Sequence, residues 1–175
     1  MTVETEIRDS MPGDNAGIEV LYRHAFEDED LVPLVQQVIG LGADVVSLVA
    51  TRDDGIVGHI SFTLCQVAGD GERVALLAPL AVLPEVQKQG IGSALIRAGF
   101  ERLQTLDIDM VLVLGDPAYY GRFGFEAEQN VTTPYPLPEA WSGAWQSRRL
   151  SASNRHTEGR LIVPAPWQQK ALWSP

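Results

Sequence analysis

Apolar residues recur along this chain with two periods, and each period predicts an element. Val3, Thr5 and Ile7 alternate with polar neighbours and predict a first strand. Pro12-Gly13-Asp14 breaks that strand and offers Asp14 as a helix N-cap. Ile18, Leu21, Tyr22, Ala25 and Phe26 then follow at helical spacing. A second such set, Leu31, Leu34, Val35, Val38 and Ile39, comes after the acidic run Glu27-Asp28-Glu29-Asp30. Two short amphipathic helices are therefore expected after the first strand.

The β-branched run from Val45 to Ala50, the turn residues Asp53-Asp54-Gly55 and the stretch from Ile56 to Cys65 predict a hairpin. Gly69-Asp70-Gly71 turns the chain again. Val74 to Val82 is almost wholly apolar, as expected of a strand covered on both faces. Helical spacing returns from about Gly90 to Leu106, and Met110 to Leu114 is a second all-apolar strand. A helix between two such strands makes a βαβ unit. Beyond it, Ala118 to Phe123 predicts a short helix and Phe125 the start of a strand. Thr132 to Ala144, rich in proline, tryptophan and glycine, reads as a long loop. Leu161 to Val163 reads as a last short strand before a proline- and tryptophan-rich tail. There is no internal repeat and no low-complexity tract. The 175 residues read as one domain over 1–175, with a core of about 3–128 and a less regular C-terminal segment of about 129–175.

Composition changes this picture in two places. With 13 Lys+Arg against 23 Asp+Glu the net charge is -10, which argues against a sequence-independent nucleic-acid binder. A single cysteine, Cys65, excludes an internal disulfide framework and fits a reducing compartment. Lying among Ile60, Phe62 and Leu64, it reads as a small core hydrophobe rather than a nucleophile. The N-terminal MTVETEIRDS lacks a signal pattern, and no stretch reaches the ~18 apolar residues that span a bilayer. A cytoplasmic protein without membrane partners is expected.

The stretch LAVLPEVQKQGIGSALI, residues 80 to 96, carries the chemistry. Glycine costs a helix interior roughly 1 kcal/mol relative to alanine, so Gly90 and Gly92 at a helix start need a reason. One reading is tight helix–strand packing. The other is an anion held on the open N–H groups of the helix, with nothing on the glycines to keep it off. A nucleotide-phosphate loop of the Walker type needs Lys-Ser or Lys-Thr after the last glycine, where this chain has Ser93-Ala94. The dinucleotide fingerprint needs a third glycine, where it has Leu95.

What does fit is Gln87-x-x-Gly90-x-Gly92, which resembles the pyrophosphate loop of the GCN5-related N-acetyltransferases, the GNAT family. Downstream, Tyr120-Gly121-Arg122-Phe123-Gly124-Phe125 is similar to the second part of that family's signature. The stretch GDPAYYGRFGF resembles one acetyltransferase subgroup within it. The order of elements agrees as well, so the resemblance covers about residues 3–128. It implies an α/β (α+β) acyl-CoA N-acyltransferase fold. Its mixed, mostly antiparallel sheet would have six to seven strands, splayed in a V and flanked by about four helices. It further implies acetyl-CoA as co-substrate. The backbone of Leu80, Ala81 and Val82 would meet the pantetheine arm, and Gln87, Lys88, Gln89, Gly90, Ile91, Gly92 and Ser93 would form the pyrophosphate loop. Lys88 brings a cation to that loop. One departure is Val113, where many members carry an asparagine seven residues before the tyrosine; nothing in the motif transfers that role to Asp116.

Acetyl transfer to an amine needs a neutral amine, proximity, a partner for the oxyanion and a proton for the departing thiolate. The backbone N–H of Val82 suits the oxyanion. Tyr120 suits the thiolate, because a phenol with pKa ~10 is protonated at neutral pH and close to a thiol's ~8.5; the alternative is that its ring packs against the cofactor. Tyr119 receives no role. No carboxylate occurs in the central strand ALLAPLAV, and His59 is either a base or a structural strand histidine. His24, His59 and His156 lack ligand spacing, so no metal is expected.

The resulting expectation is an N-acetyltransferase acting on a small-molecule or peptide amine by direct attack in a ternary complex. A non-catalytic acyl-CoA sensor or scaffold of the same fold is the alternative, and a homodimer is left open. The run Glu27–Asp30 either steers a cationic acceptor or is a solvated loop that favours the start of the second helix.

Overall fold

A computed structural model describes residues 3–69, 71–152 and 155–175. Asp70 of the expected Gly69-Asp70-Gly71 turn lies outside the described residues. The chain groups into two compact units, Met1–Thr63 with Ala78–Leu103, and Leu64–Leu77 with Gln104–Pro175.

The first unit holds β1 (Glu6–Asp9), α1 (Asn15–Ala25), α2 (Val32–Ile39), β2 (Val45–Arg52), most of β3 (Gly55–Val67), the end of β4 (Arg73–Val82) and most of α3 (Ile91–Thr105). β1 pairs antiparallel with β2, Ile7 opposite Ala50, and β2 pairs antiparallel with β3, Leu48 opposite Ile60. The expected hairpin is present. Asp53 and Asp54 both take left-handed backbone, with φ of 49° and 63°. Two such residues give the turn whose twist matches that of the flanking strands, and aspartate tolerates this conformation better than most side chains. Ile18, Leu21 and Tyr22 of α1, Val32 and Val35 of α2, Val49 and Ala81 form one buried cluster, so the two helical stripes legible in the sequence share one floor.

Asp14 does precede α1, but its carboxylate does not cap that helix. It accepts the Met11 N–H at 2.7 Å and a two-pronged contact from Arg8 at 2.8 and 3.0 Å. A bidentate guanidinium is the stronger partner for a carboxylate. Its hydrogen bonds from Arg8 hold the Asp14 carboxyl below the usual range.

Helix α3 is seated on β3 through glycines. A Cβ on Gly99 would fall 2.0 Å from Cε2 of Phe62, and one on Gly58 would fall 3.0 Å from Leu95 and 3.1 Å from Ile91. Missing side chains on both elements thus let the helix sink onto the strand, and Leu95, Ile96 and Leu103 are buried there.

In the second unit the start of β4 pairs parallel with β5 (Met110–Leu114), Ala75 opposite Val111. This is the βαβ pairing expected from two apolar strands joined through α3. β5 then pairs antiparallel with β8 (Trp145–Arg149), and β8 also pairs with β6 (Glu126–Ala127). α4 (Pro117–Tyr120) lies between β5 and β6 in the chain. β7 (Val131–Thr132) runs parallel to β9 (Gly159–Ile162), which pairs antiparallel with the end of β3, Val67 opposite Leu161.

The described residues therefore contain nine strands rather than the expected six to seven, and four α-helices. The addition that matters is β8. Its sequence, WQSRR, has no apolar alternation, yet Trp145 and Gln146 are buried in it. The described residues of 129–175 hold β7, β8, β9 and a packed group of tryptophans. Trp173 lies 5.8 Å from Trp145 and 6.5 Å from Trp167, ring to ring, and all three are buried. Their polar handles are satisfied: the Trp145 indole N–H donates to Val131 O at 2.8 Å and that of Trp173 to Trp167 O at 3.0 Å. Glu72, also buried, accepts from Arg149 at 2.8 Å and from the hydroxyl of Thr157, and so ties the start of β4 to β8 and the segment before β9. No helix among the described residues is long and apolar enough to cross a membrane.

Candidate active site

The apolar strand β4 ends at Val82, and a single 3-10 turn, Pro84–Val86, leads into the loop at Gln87. Here the chain adopts backbone that few residues accept: φ is 64° at Lys88 and 83° at Gly90. A Cβ on Gly90 would meet nothing within 4 Å. Packing therefore does not require this glycine. What requires it is the left-handed backbone immediately before the helix, and it leaves the space beside it open.

Helix α3 begins at Ile91, and the bond from Ala94 N–H to Gly90 C=O, at 3.0 Å, opens its ladder. The N–H groups of Ile91, Gly92 and Ser93 precede that ladder and carry the positive end of a 15-residue helix. The loop is pinned from behind by its own side chains. The Gln87 amide donates to Val82 O at 3.1 Å, and the Gln89 amide oxygen accepts from Arg52 at 2.8 Å. Arg52, at the end of β2, also donates to Thr5 at 2.7 Å. Sequence reading missed Arg52, since a strand-terminal arginine carries no signal until the fold sets it against the loop. Of the three β4 residues expected in the site, Ala81 is buried in the α1–α2 cluster, whereas Leu80 and Val82 are half-buried.

Tyr120, in the second unit, ends the single helical turn of α4. Asp116 caps that turn through the Ala118 N–H at 2.9 Å, which gives Asp116 a structural task. The Tyr120 ring lies against Gly115: a Cβ there would fall 2.4 Å from Cε2 of the ring. The rings of Tyr119 at 4.9 Å and Phe125 at 5.7 Å complete its surroundings. Burial, and then the neighbouring Tyr119, push the Tyr120 phenol upward from its ordinary pKa, so the group stays protonated. Its hydroxyl makes no hydrogen bond among the described residues. Tyr119 is turned toward Phe123 and Arg122, with the guanidinium 4.8 Å from its ring centre.

Residues 43–127 match the family model for an acetyltransferase (GNAT) domain. The N-acetyltransferase YjhQ of Escherichia coli is 38% identical over 132 residues, which is 73% of either chain. Among solved structures, the GNAT family N-acetyltransferase YhbS of E. coli, in complex with CoA, superposes with a TM-score of 0.86 at 30% identity. That match covers 97% of this chain and 94% of YhbS. This chain belongs to the GNAT family. A GNAT acetyltransferase from Brucella melitensis, in complex with acetyl-CoA, matches at 27% identity with a TM-score of 0.78, over 95% of this chain and 100% of that one. Family membership makes the chain an acyltransferase.

Two expectations about this GNAT chain's ionisable groups now have structural answers. His59 is fully buried on β3. Its Nδ1 lies 2.7 Å from the Tyr22 hydroxyl, and its Nε2 lies 2.9 Å from Ser47 Oγ and 3.4 Å from Ser61 Oγ. Ser10 continues the chain, donating to Ser47 Oγ at 2.7 Å. Burial pushes the imidazole pKa down to about 3. A histidine so engaged and so reluctant to take a proton fits the structural reading of this residue. Cys65, buried with its thiol pushed up to about 12 by desolvation, is inert, as a core hydrophobe should be. The described residues include no group of three or more His, Cys, Asp or Glu placed to hold a metal ion.

The buried imidazole makes stability depend on pH. His59 is neutral in the folded chain down to about pH 3, but titrates near 6.5 once unfolded. Between those values the unfolded state binds the extra proton, so stability present above pH ~6.5 is lost as pH falls toward 3. The urea midpoint of the parent should drop between pH 7 and 4.5. His59→Gln should show a smaller drop, by up to about 1.4 kcal/mol for each pH unit in the window. Equal slopes in parent and variant would remove His59 as the cause.

Proposed function

We propose that this GNAT chain uses acetyl-CoA to acetylate a primary amine, by direct attack with both substrates bound together. The observation that carries the reading is the start of α3. Three N–H groups lie ahead of the helix ladder, beside a glycine whose Cβ position is empty, in a loop that also bears Lys88. A pyrophosphate is the part of the cofactor that such an end would hold. CoA and acetyl-CoA in the solved E. coli and Brucella relatives support the same ligand here. In this reading the backbone of Leu80, Ala81 and Val82 lines the pantetheine arm, residues 87–93 form the pyrophosphate loop, and the enzyme works in the cytoplasm.

The chemistry follows. The amine nitrogen attacks the thioester carbonyl carbon, and the carbonyl electron pair moves onto oxygen, where the Val82 N–H receives the negative charge. Collapse of that intermediate breaks the C–S bond. Tyr120 gives the leaving sulfur its phenolic proton and recovers one from solvent, which also takes the proton shed by nitrogen. β4 carries no carboxylate, so the amine loses its first proton to water before attack. The acceptor is a small-molecule or peptide amine that is cationic in solution. The run Glu27–Asp30 is exposed, and there the Asp30 carboxylate accepts the Val32 N–H of α2 at 3.3 Å. The other three carboxylates have no hydrogen-bond or ion-pair partner among the described residues and are available to attract a cation.

Three outcomes test this reading. Gly90→Val or Gly92→Val, provided the variant folds, should weaken acetyl-CoA binding at least about tenfold by calorimetry, because a side chain would stand where the pyrophosphate sits. Parent-like binding would remove the loop from the site.

Tyr120→Phe should lower kcat about 10²-fold in a thiol-release assay while cofactor affinity changes little. Since burial raises the phenol's pKa, kcat/KM of the parent should climb toward the acceptor's own pKa and show no falling limb from Tyr120 below pH ~10. An unchanged kcat makes Tyr120 a packing residue. Binding of acetyl-CoA without thiol release across a broad panel of amines would favour the non-catalytic sensor.

Finally, kcat/KM for the best amine should fall as ionic strength rises, since steering is screened over ~10 Å at 0.1 M salt. Replacing Glu27 by Gln and Asp28 by Asn should flatten that profile. A flat profile in the parent, or an anionic best acceptor, would end the steering idea.

A further inference from the structure

Gln146 on β8 is a buried polar side chain, 1% exposed, that neither the loop nor the tyrosine motif accounts for. It lies directly opposite Val113 of β5 and Ala127 of β6. Residues directly opposite in an antiparallel pair present their side chains on the same face, and so do residues two apart on one strand. Val113 and Gln146 therefore share a face, and just past the end of β5 it is against Gly115 that the Tyr120 ring rests.

The Gln146 Nε2 donates to Gly115 O at 3.1 Å and to Ala144 O at 3.3 Å. Two carbonyl partners can only be met by the amide nitrogen, which sets the orientation of the group. The Gly115 N–H in turn donates to Ala144 O at 2.9 Å. The peptide groups on both sides of Gly115 are thus held, at the end of β5 where regular pairing stops and the chain turns into α4. Gly115 lacks the side chain that would keep the ring away, so the position of this short piece of backbone decides where the Tyr120 ring sits.

We infer that Gln146 is a positioning residue for Tyr120: by fixing the Gly115 carbonyl it holds the backbone surface on which the phenol is set toward the departing sulfur. The inference rests on the reading of Tyr120 as the acid, and it adds a residue that the local motif does not contain. Gln146 touches no reacting atom. Its effect should appear in kcat and should vanish when Tyr120 has no proton to give.

A double-mutant cycle separates this from a general structural role. Gln146→Met keeps most of the side-chain volume and removes the donor. In the parent it should lower kcat about tenfold, with KM for acetyl-CoA within about twofold. In the Tyr120→Phe background the same change should alter kcat less than about twofold. Gly115→Ala, which displaces the ring from the other side, should be non-additive with Gln146→Met in the same way. If Gln146→Met does not fold, Gln146→Leu carried through the same two backgrounds reads the same coupling. Equal losses in both backgrounds, no loss of kcat, or a change confined to KM would overturn the positioning role. An unchanged kcat for Tyr120→Phe alone would instead overturn the acid assignment on which the inference stands.

Discussion

The contact between the Phe62 ring and Gly99 governs the first unit, because it fixes how closely and at what height α3 lies on β3. A phenyl ring filling the place of a missing Cβ can be satisfied at few positions along a helix axis. Gly58, four residues before Phe62 on the strand, admits Leu95 and Ile91 in the same manner. With the helix fixed in height, its first residue is fixed too. The open N–H groups then fall directly after a loop whose backbone is left-handed at Lys88 and Gly90. The two kinds of glycine in this helix region do different work. Gly99 is needed because the Phe62 ring occupies its side-chain space, and Gly90 because its backbone is left-handed.

Buried polar groups show how the interior accommodates what its apolar strands do not explain. His59 is paired on both nitrogens and kept neutral, so it links α1, β2 and β3 without carrying charge into the core. Glu72 is held by Arg149, in the strand β8 that sequence periodicity did not announce, and by Thr157 just before β9. Gln146 braces the turn beneath Tyr120. No buried side-chain polar atom among the described residues lacks a partner. In a low-dielectric interior each unsatisfied group would cost about 1–3 kcal/mol, so these pairings constrain which strands can be neighbours.

Several features of the protein were legible without coordinates. The periods of apolar residues placed α1, α2, the β2–β3 hairpin, β4, α3 and β5 to within a residue or two. That succeeds because a stripe on a helix, or a run on a doubly covered strand, is a local pattern set by 3.6- and 2-residue repeats. The glycine loop followed by the tyrosine motif placed the chain in its family for a related reason. Both are short segments whose backbone conformation dictates residue type, as glycine does at a φ of 83°.

What the tertiary structure alone decided depends on partners distant in the chain. Nothing in WQSRR announces a strand; β8 exists because β5 presents an edge and β6 needs one. Trp173, in a tail that read as irregular, is buried against a tryptophan more than twenty residues upstream, and Trp167 is buried against Trp173. Asp14 had the right place for a helix cap and took Arg8 instead, because a guanidinium across a turn outcompetes an amide. Arg52 and Gln146 acquired their places beside the loop and the tyrosine only through strand pairing. Local periodicity records which face of an element is buried. It carries no record of which polar side chain will meet it there, because that is set by register between strands far apart in sequence.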